Sequence, residues 1–188
     1  MLCPPLKNPV IRKPIGQPIG NRNKHGGYDR LKQPHSGGRP VLGIYQPQAV
    51  YEGIQNIPDK DCVWCNMEYL AREVLQPVRD KFGPIRVTSG YRSAALNKAI
   101  PGSSATSHHC SGAAADIEPI RKDVALRDIF SFIANELPFT ELIAENLPDG
   151  WVHVALVRGR EEDRAVKYKR VGGLVHRSSY AEVMAMKW

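Results

Sequence analysis

Two short stretches of this 188-residue chain gather side chains able to do chemistry. The first runs Ser107-His108-His109-Cys110-Ser111-Gly112-Ala113-Ala114-Ala115-Asp116, and the second Trp151-Val152-His153-Val154. Two imidazoles and a carboxylate, two of them close in sequence and one on a later strand, make the donor set of an open zinc site. Three protein ligands leave the fourth position for water. Zinc there lowers the pKa of that water toward about 7 and polarises a carbonyl oxygen, which is the chemistry of peptide hydrolysis. The small residues from Gly112 to Ala115 let the strand carrying Asp116 pass close to its neighbours. On spacing alone the other reading is a pair of loop histidines and a strand-end aspartate, both common.

The elements that must position these residues follow from periodicity. Met67, Leu70, Ala71, Val74, Leu75, Val78 and Phe82 recur with helical spacing behind Asn66, a good N-cap, and Pro77 is expected to kink or shorten that helix. Gly83-Pro84 ends it, and Ile85 to Ser89 reads as a strand. A turn at residues 90–93 leads to a short helix, Ala94 to Ala99, and then to a Ser/Gly-rich loop over 101–112. Ala113 to Ile117 reads as a buried strand and Asp123 to Leu137 as an amphipathic helix. Phe139 to Glu145 and Trp151 to Val157 read as strands joined by a hairpin loop, and Ala165 to Val171 as an edge strand. Strands and helices alternate without a βαβ rhythm. The expected fold is therefore α+β, a small, largely antiparallel sheet with flanking helices and the zinc site in a cleft on the sheet.

Ser107-x-His109-x-x-Gly112-x-Ala114-x-Asp116 resembles the SxHxxGxAxD signature of the zinc D-Ala-D-Ala carboxypeptidase and dipeptidase family, which includes phage endolysins. Ser89-Gly90-Tyr91-Arg92-Ser93 with Leu96-Asn97 is similar to that family's SGYRS…LN segment, and Trp151 to Val154 to its final ligand strand. The likeness covers roughly residues 50–157. It implies one zinc per chain, held by His109, Asp116 and His153, and activity on peptidoglycan stem peptides, either as a D,D-carboxypeptidase or as an L-Ala–D-Glu endopeptidase. The family spacing His-x6-Asp selects His109 over His108, which is expected to be an exposed loop imidazole.

Arg92 matches a family arginine near the substrate carbonyl, where a permanently charged guanidinium stabilises an oxyanion. The alternative is an ion pair with Asp116 or Glu118. Ser107 either holds a substrate terminus or caps the loop. Tyr91 is a candidate substrate contact, although it and Trp151 also suit packing. Several relatives place an acid three positions before the last histidine, where this chain has Gly150. A hairpin centred near Pro148 pairs Glu145 with Trp151 and Ile143 with His153, which sets Glu145 diagonally beside His153 on one face. Glu145 is therefore preferred as general base over Asp149, in the hairpin loop, although a one-residue slip would reverse the choice.

The net charge of +7 is confined to residues 1–48, which hold eight Lys/Arg against Asp29 alone. The remainder carries eighteen side chains of each sign. Eight Pro and seven Gly mark residues 1–48 as a mobile basic tail, with residues 49–188 as the peptidase domain. The tail is a candidate contact for an anionic envelope or nucleic acid, or a solubilising leader without a partner. Residues 1–5 lack the apolar core of a secretory signal, and no stretch approaches a membrane span. The expected setting is a phage lysis enzyme, held in the host cytoplasm until lysis or carried by the virion. Cys62-x-x-Cys65, a lone pair expected just before a helix, reads as reduced thiols. The rival functions are a catalytically dead, zinc-stabilised cell-wall binding module and a nucleic-acid-binding virion protein acting through its tail.

Overall fold

The computed structural model describes residues 53–188; the basic segment 1–48 lies outside them. The first helix, α1 (Asp61–Leu70), passes through a π-helical turn, Ala71–Leu75, into α2 (Gln76–Phe82). Strand β1 (Ile85–Ser89) and helix α3 (Ala94–Ala99) lead to a 3₁₀ turn, His108–Ser111. Then come β2 (Ala114–Pro119), α4 (Leu126–Glu136), β3 (Glu141–Leu147), β4 (Trp151–Ala155), β5 (Ala165–Arg170), β6 (Val175–Arg177) and α5 (Tyr180–Met184). The six strands form one sheet in the order β1-β2-β4-β3-β5-β6. All pairings are antiparallel except β3 with β5. The fold is the expected α+β.

Parity divides the sheet. Ala115, Ile117, Leu142, Ala144, Val152 and Val154 are fully buried and share a core with Ile129, Phe130 and Ile133 of α4 and with Met67, Leu70, Val74 and Val78 of the first helical arm. Successive side chains of a strand point to opposite faces, so the residues between these turn away from that core. Opposed residues share a face. The pairs Asp116↔His153, Ile143↔His153, Ile143↔Lys167 and Lys167↔Arg177 therefore make one row that crosses five strands.

Four boundaries depart from the expectation. The first helix begins at Asp61, so Asn66 is not its N-cap; Asn66 lies within the helix and its Nδ2 donates to Ser111 O at 2.9 Å. Cys62 and Cys65 accordingly sit inside α1 rather than before it. Pro77 does not break the helix. It lacks an N–H and crowds the carbonyl four residues back, and the π-helical turn immediately before α2 supplies the extra backbone that accommodates it. β5 is not the edge strand, because β6 lies outside it. α5 starts on a capping box in which Ser179 Oγ accepts from Glu182 N at 3.2 Å and Ser179 N donates to Glu182 Oε2 at 2.8 Å.

Candidate metal centre

Three elements bring the site together. The 3₁₀ turn presents His109, and Gly112 closes it with φ 70°. A side chain at Gly112 would place Cβ 2.8 Å from Val63 O and 2.9 Å from Met67 Cγ, so both the turn and its contact with α1 require glycine. β2 presents Asp116, and β4 presents His153 directly opposite it.

His109, Asp116 and His153 are each at most 6% exposed. Asp116 Oδ1 lies 2.8 Å from His153 Nδ1 and 3.3 Å from His109 Nε2, and the two nitrogens are 3.2 Å apart. His109 Nδ1 donates to Gly90 O at 2.7 Å, which leaves Nε2 as the lone-pair nitrogen. On the far side of the His153 ring, Nε2 is buried and 3.5 Å from Glu141 Oε1, an ion-pair distance too long for a good hydrogen bond. One nitrogen of each ring, His109 Nε2 and His153 Nδ1, thus faces the same point beside Asp116 Oδ1.

The electrostatics separate the two rings. Burial pushes His109 below its ordinary pKa and favours the neutral ligand form. Burial would do the same to His153, but Asp116 and Glu141 outweigh it and hold His153 up to about 9. Burial would raise Asp116, but the two imidazoles keep it well below the usual carboxylate range. Arg92 lies against the same carboxylate: its Nη2 pairs with Asp116 Oδ2 at 3.0 Å and its Nε donates to Ser89 Oγ at 2.9 Å. That is the ion pair named above as the alternative role for Arg92, and it aims the other oxygen of Asp116 at the two rings.

The remaining candidates separate. Glu145 opposes Trp151, as the hairpin centred near Pro148 requires, and stands half-buried diagonally from His153. Burial raises its carboxyl above the ordinary value, while Lys169 Nζ, 3.7 Å from Oε2, works against the rise. Asp149 is exposed in the turn. At Gly150 a Cβ would overlap the carbonyl of Glu145, so no acid fits the position that several relatives use. Ser107 precedes the 3₁₀ turn, but its hydroxyl makes no capping bond. Tyr91 is 6% exposed and packs in the core, which leaves it little surface for a substrate. His108 is half-buried rather than exposed; it borders a cavity, and its Nδ1 is buried without a hydrogen-bond partner.

Glu141 is the residue that sequence reasoning missed. Its signal was parity: Ile143 faces His153, so Glu141 and Glu145 are equivalent diagonal neighbours. Contacts with His153 and Lys167 hold the Glu141 carboxyl down to about 2.

A family model described as Peptidase M15 matches residues 45–155, a span that contains His109, Asp116 and His153 together with Arg92, Glu141 and Glu145. The chain belongs to the M15 peptidase family. A search of the curated proteins finds no match. M15 peptidases are zinc-dependent, and here the three ligand atoms lie within 4.8 Å of one another, buried. A donor set of two neutral nitrogens and one carboxylate suits zinc, and an outer hydrogen bond fixes the ring of His109, as at zinc sites generally. The residues fit the metal of an M15 peptidase.

Proposed function

We propose that this M15 peptidase is a zinc metallopeptidase that hydrolyses peptidoglycan stem peptides, as a D,D-carboxypeptidase or as an L-Ala–D-Glu endopeptidase of the phage-lysis kind. The observation that carries the reading is the convergence of His109 Nε2, Asp116 Oδ1 and His153 Nδ1 on one point of the sheet face, with Glu145 diagonal to it. Those three atoms would hold the metal, which when bound supplies Lewis-acid activation of water and of the scissile carbonyl.

The chain's own groups do the rest. Glu145 takes a proton from the attacking water and passes it to the leaving amine. Its burial suits this, because a carboxyl with a raised pKa is the stronger base once ionised. Glu141, paired with Lys167, stays ionised and steadies His153. Arg92 holds Asp116, and its remaining N–H groups supply positive charge toward an oxyanion. Ser107, its hydroxyl free of a capping bond, is available to a substrate terminus.

Residues 1–48 are proposed to hold the enzyme on the anionic envelope. Deleting them should then slow lysis of whole walls more than cleavage of a small soluble peptide. The test of the main reading is incubation with purified peptidoglycan, with and without a chelator, and weighing of the products. Release of peptide fragments that the chelator abolishes is expected. An intact wall in both samples would leave the binding-module reading.

A further inference from the structure

A cavity of about 450 Å³ opens beside the metal centre, lined by His108, Thr140, Glu141, Arg160, Lys167 and Arg177 among others. Two residues join it to the site: Glu141 also approaches His153, and His108 precedes the ligand His109. The row of side chains that begins at Asp116 and His153 continues over Ile143 to Lys167 and Arg177, so centre and cavity occupy one face of one sheet. Strands lie ~4.8 Å apart, which puts Lys167 about 10 Å and Arg177 about 14 Å from His153 along that row. An extended peptide rises ~3.3 Å per residue, so the cationic end of the row is roughly three to four residues from the bond being cut.

The charge there is not balanced. Lys167 pairs with Glu141, and Arg160 pairs with Asp163 at 2.7 Å. Arg177 stands opposite Lys167 on the exposed strand β6, and among the described residues no carboxylate pairs with it. His108 adds a buried Nδ1 that lacks a partner. A cavity with one uncompensated guanidinium fits a planar anion, which the guanidinium grips through two parallel hydrogen bonds.

We propose that this cavity is a subsite for a free carboxylate of the peptide substrate, with Arg177 its principal contact. The assignment rests on the peptidase reading and adds to it a preference among stem peptides: those with an unamidated carboxyl a few residues from the scissile bond bind, and their amidated counterparts bind poorly. Arg177 acts on binding and leaves the chemical step alone.

The experiment uses the zinc-loaded full chain, wild type and Arg177→Gln, with a stem pentapeptide ending in D-Ala–D-Ala, which holds both candidate scissile bonds, and versions in which the D-Glu α-carboxyl or the C-terminal carboxyl is singly converted to carboxamide. Affinity is read as KM where the peptide is cleaved and as Kd by calorimetry where it is not. One amidation should weaken binding to wild type about tenfold, the scale of one lost charge-assisted contact, with kcat within about twofold. The same amidation should make no difference in Arg177→Gln, and the version that shows it identifies which carboxylate is held. Equal affinity for all peptides in wild type, or a penalty that persists in Arg177→Gln, overturns the subsite. Discrimination in binding without cleavage of any peptide keeps the subsite and overturns the peptidase reading; cleavage of all peptides without discrimination does the reverse.

Discussion

Glu141 and Glu145 flank Ile143 on β3, and because Ile143 faces His153 the two carboxylates stand at mirrored diagonals from the same imidazole. Their surroundings then part them. Glu141 is held down to about 2 by its contacts with His153 and Lys167, whereas burial lifts Glu145. Two carboxylates pushed in opposite directions take opposite roles, one a fixed charge and the other a proton carrier.

Glu145→Gln keeps shape but removes that proton carrier, and turnover should fall ~100-fold or more with metal content unchanged. Asp149→Asn, in the exposed turn, should cost little. Steady-state rates alongside elemental analysis decide the matter; the opposite ranking would transfer the role to Asp149.

Lys169 Nζ lies 3.7 Å from Glu145 and opposes the lift from burial. The base must be ionised, so activity should fall on acidification through a pH above the ordinary glutamate value. Lys169→Met removes the opposing cation and should move that acid limb further up. A kcat–pH profile of the two proteins is the measurement, and coincident limbs would detach Glu145 from the acid limb.

Purified protein should carry about one zinc, and His153→Ala should lose it. The metal-free protein should show a distinctive pH dependence. The folded-state pKa of His153, about 9, lies above its unfolded value of about 6.5. The stability this contributes is complete below about 6.5 and is lost as pH rises through about 9. A ligand imidazole is already neutral, so the loaded protein should lack this decline, and zinc uptake within the window should release a proton. Melting curves with and without chelator test the first point, and calorimetry in buffers of differing ionisation heat tests the second. Parallel melting profiles would remove His153 Nδ1 from the ligand set.

Arg92→Ala strips Asp116 of its partner at 3.0 Å while the carboxylate stays buried. Zinc affinity should fall by about 10–100-fold, the usual cost of losing an outer partner of a ligand. Competition with a chromogenic chelator reads this directly. An unchanged affinity together with a lowered kcat would confine Arg92 to the oxyanion.

Gly150→Ala forces a Cβ into the Glu145 carbonyl and should destabilise the fold by about 3 kcal/mol or more, seen as a lower urea midpoint. A neutral effect would mean that the hairpin relaxes easily, and that an acid at this position is a matter of selection rather than of space.

Much of this was legible in the sequence, for identifiable reasons. The likeness to the SxHxxGxAxD signature, which spacing alone does not supply, picks out His109 and Asp116 as a ligand pair, and the hairpin centred near Pro148 fixes the parity that sets Glu145 beside His153. Elements that rest on long-range contacts were not legible. Asn66 has the chemistry of an N-cap, yet its amide serves Ser111, 45 positions away. β6 is three exposed residues with no periodicity, and the parallel pairing of β5 with β3 leaves no local signal. The cavity beside Glu141 depends on both. The capping box from Ser179 to Glu182 did carry its signal, S-x-x-E ahead of the buried Val183.

The contact of Gly112 with Val63 and Met67 ties the ligand loop to α1. Zinc and helix docking therefore belong to one thermodynamic cycle, and each must favour the other by the same free energy. Any lesion that loosens α1, however far from the ligands, will surface as chelator sensitivity. Conversely, zinc will slow amide exchange along α1, a helix that supplies no ligand.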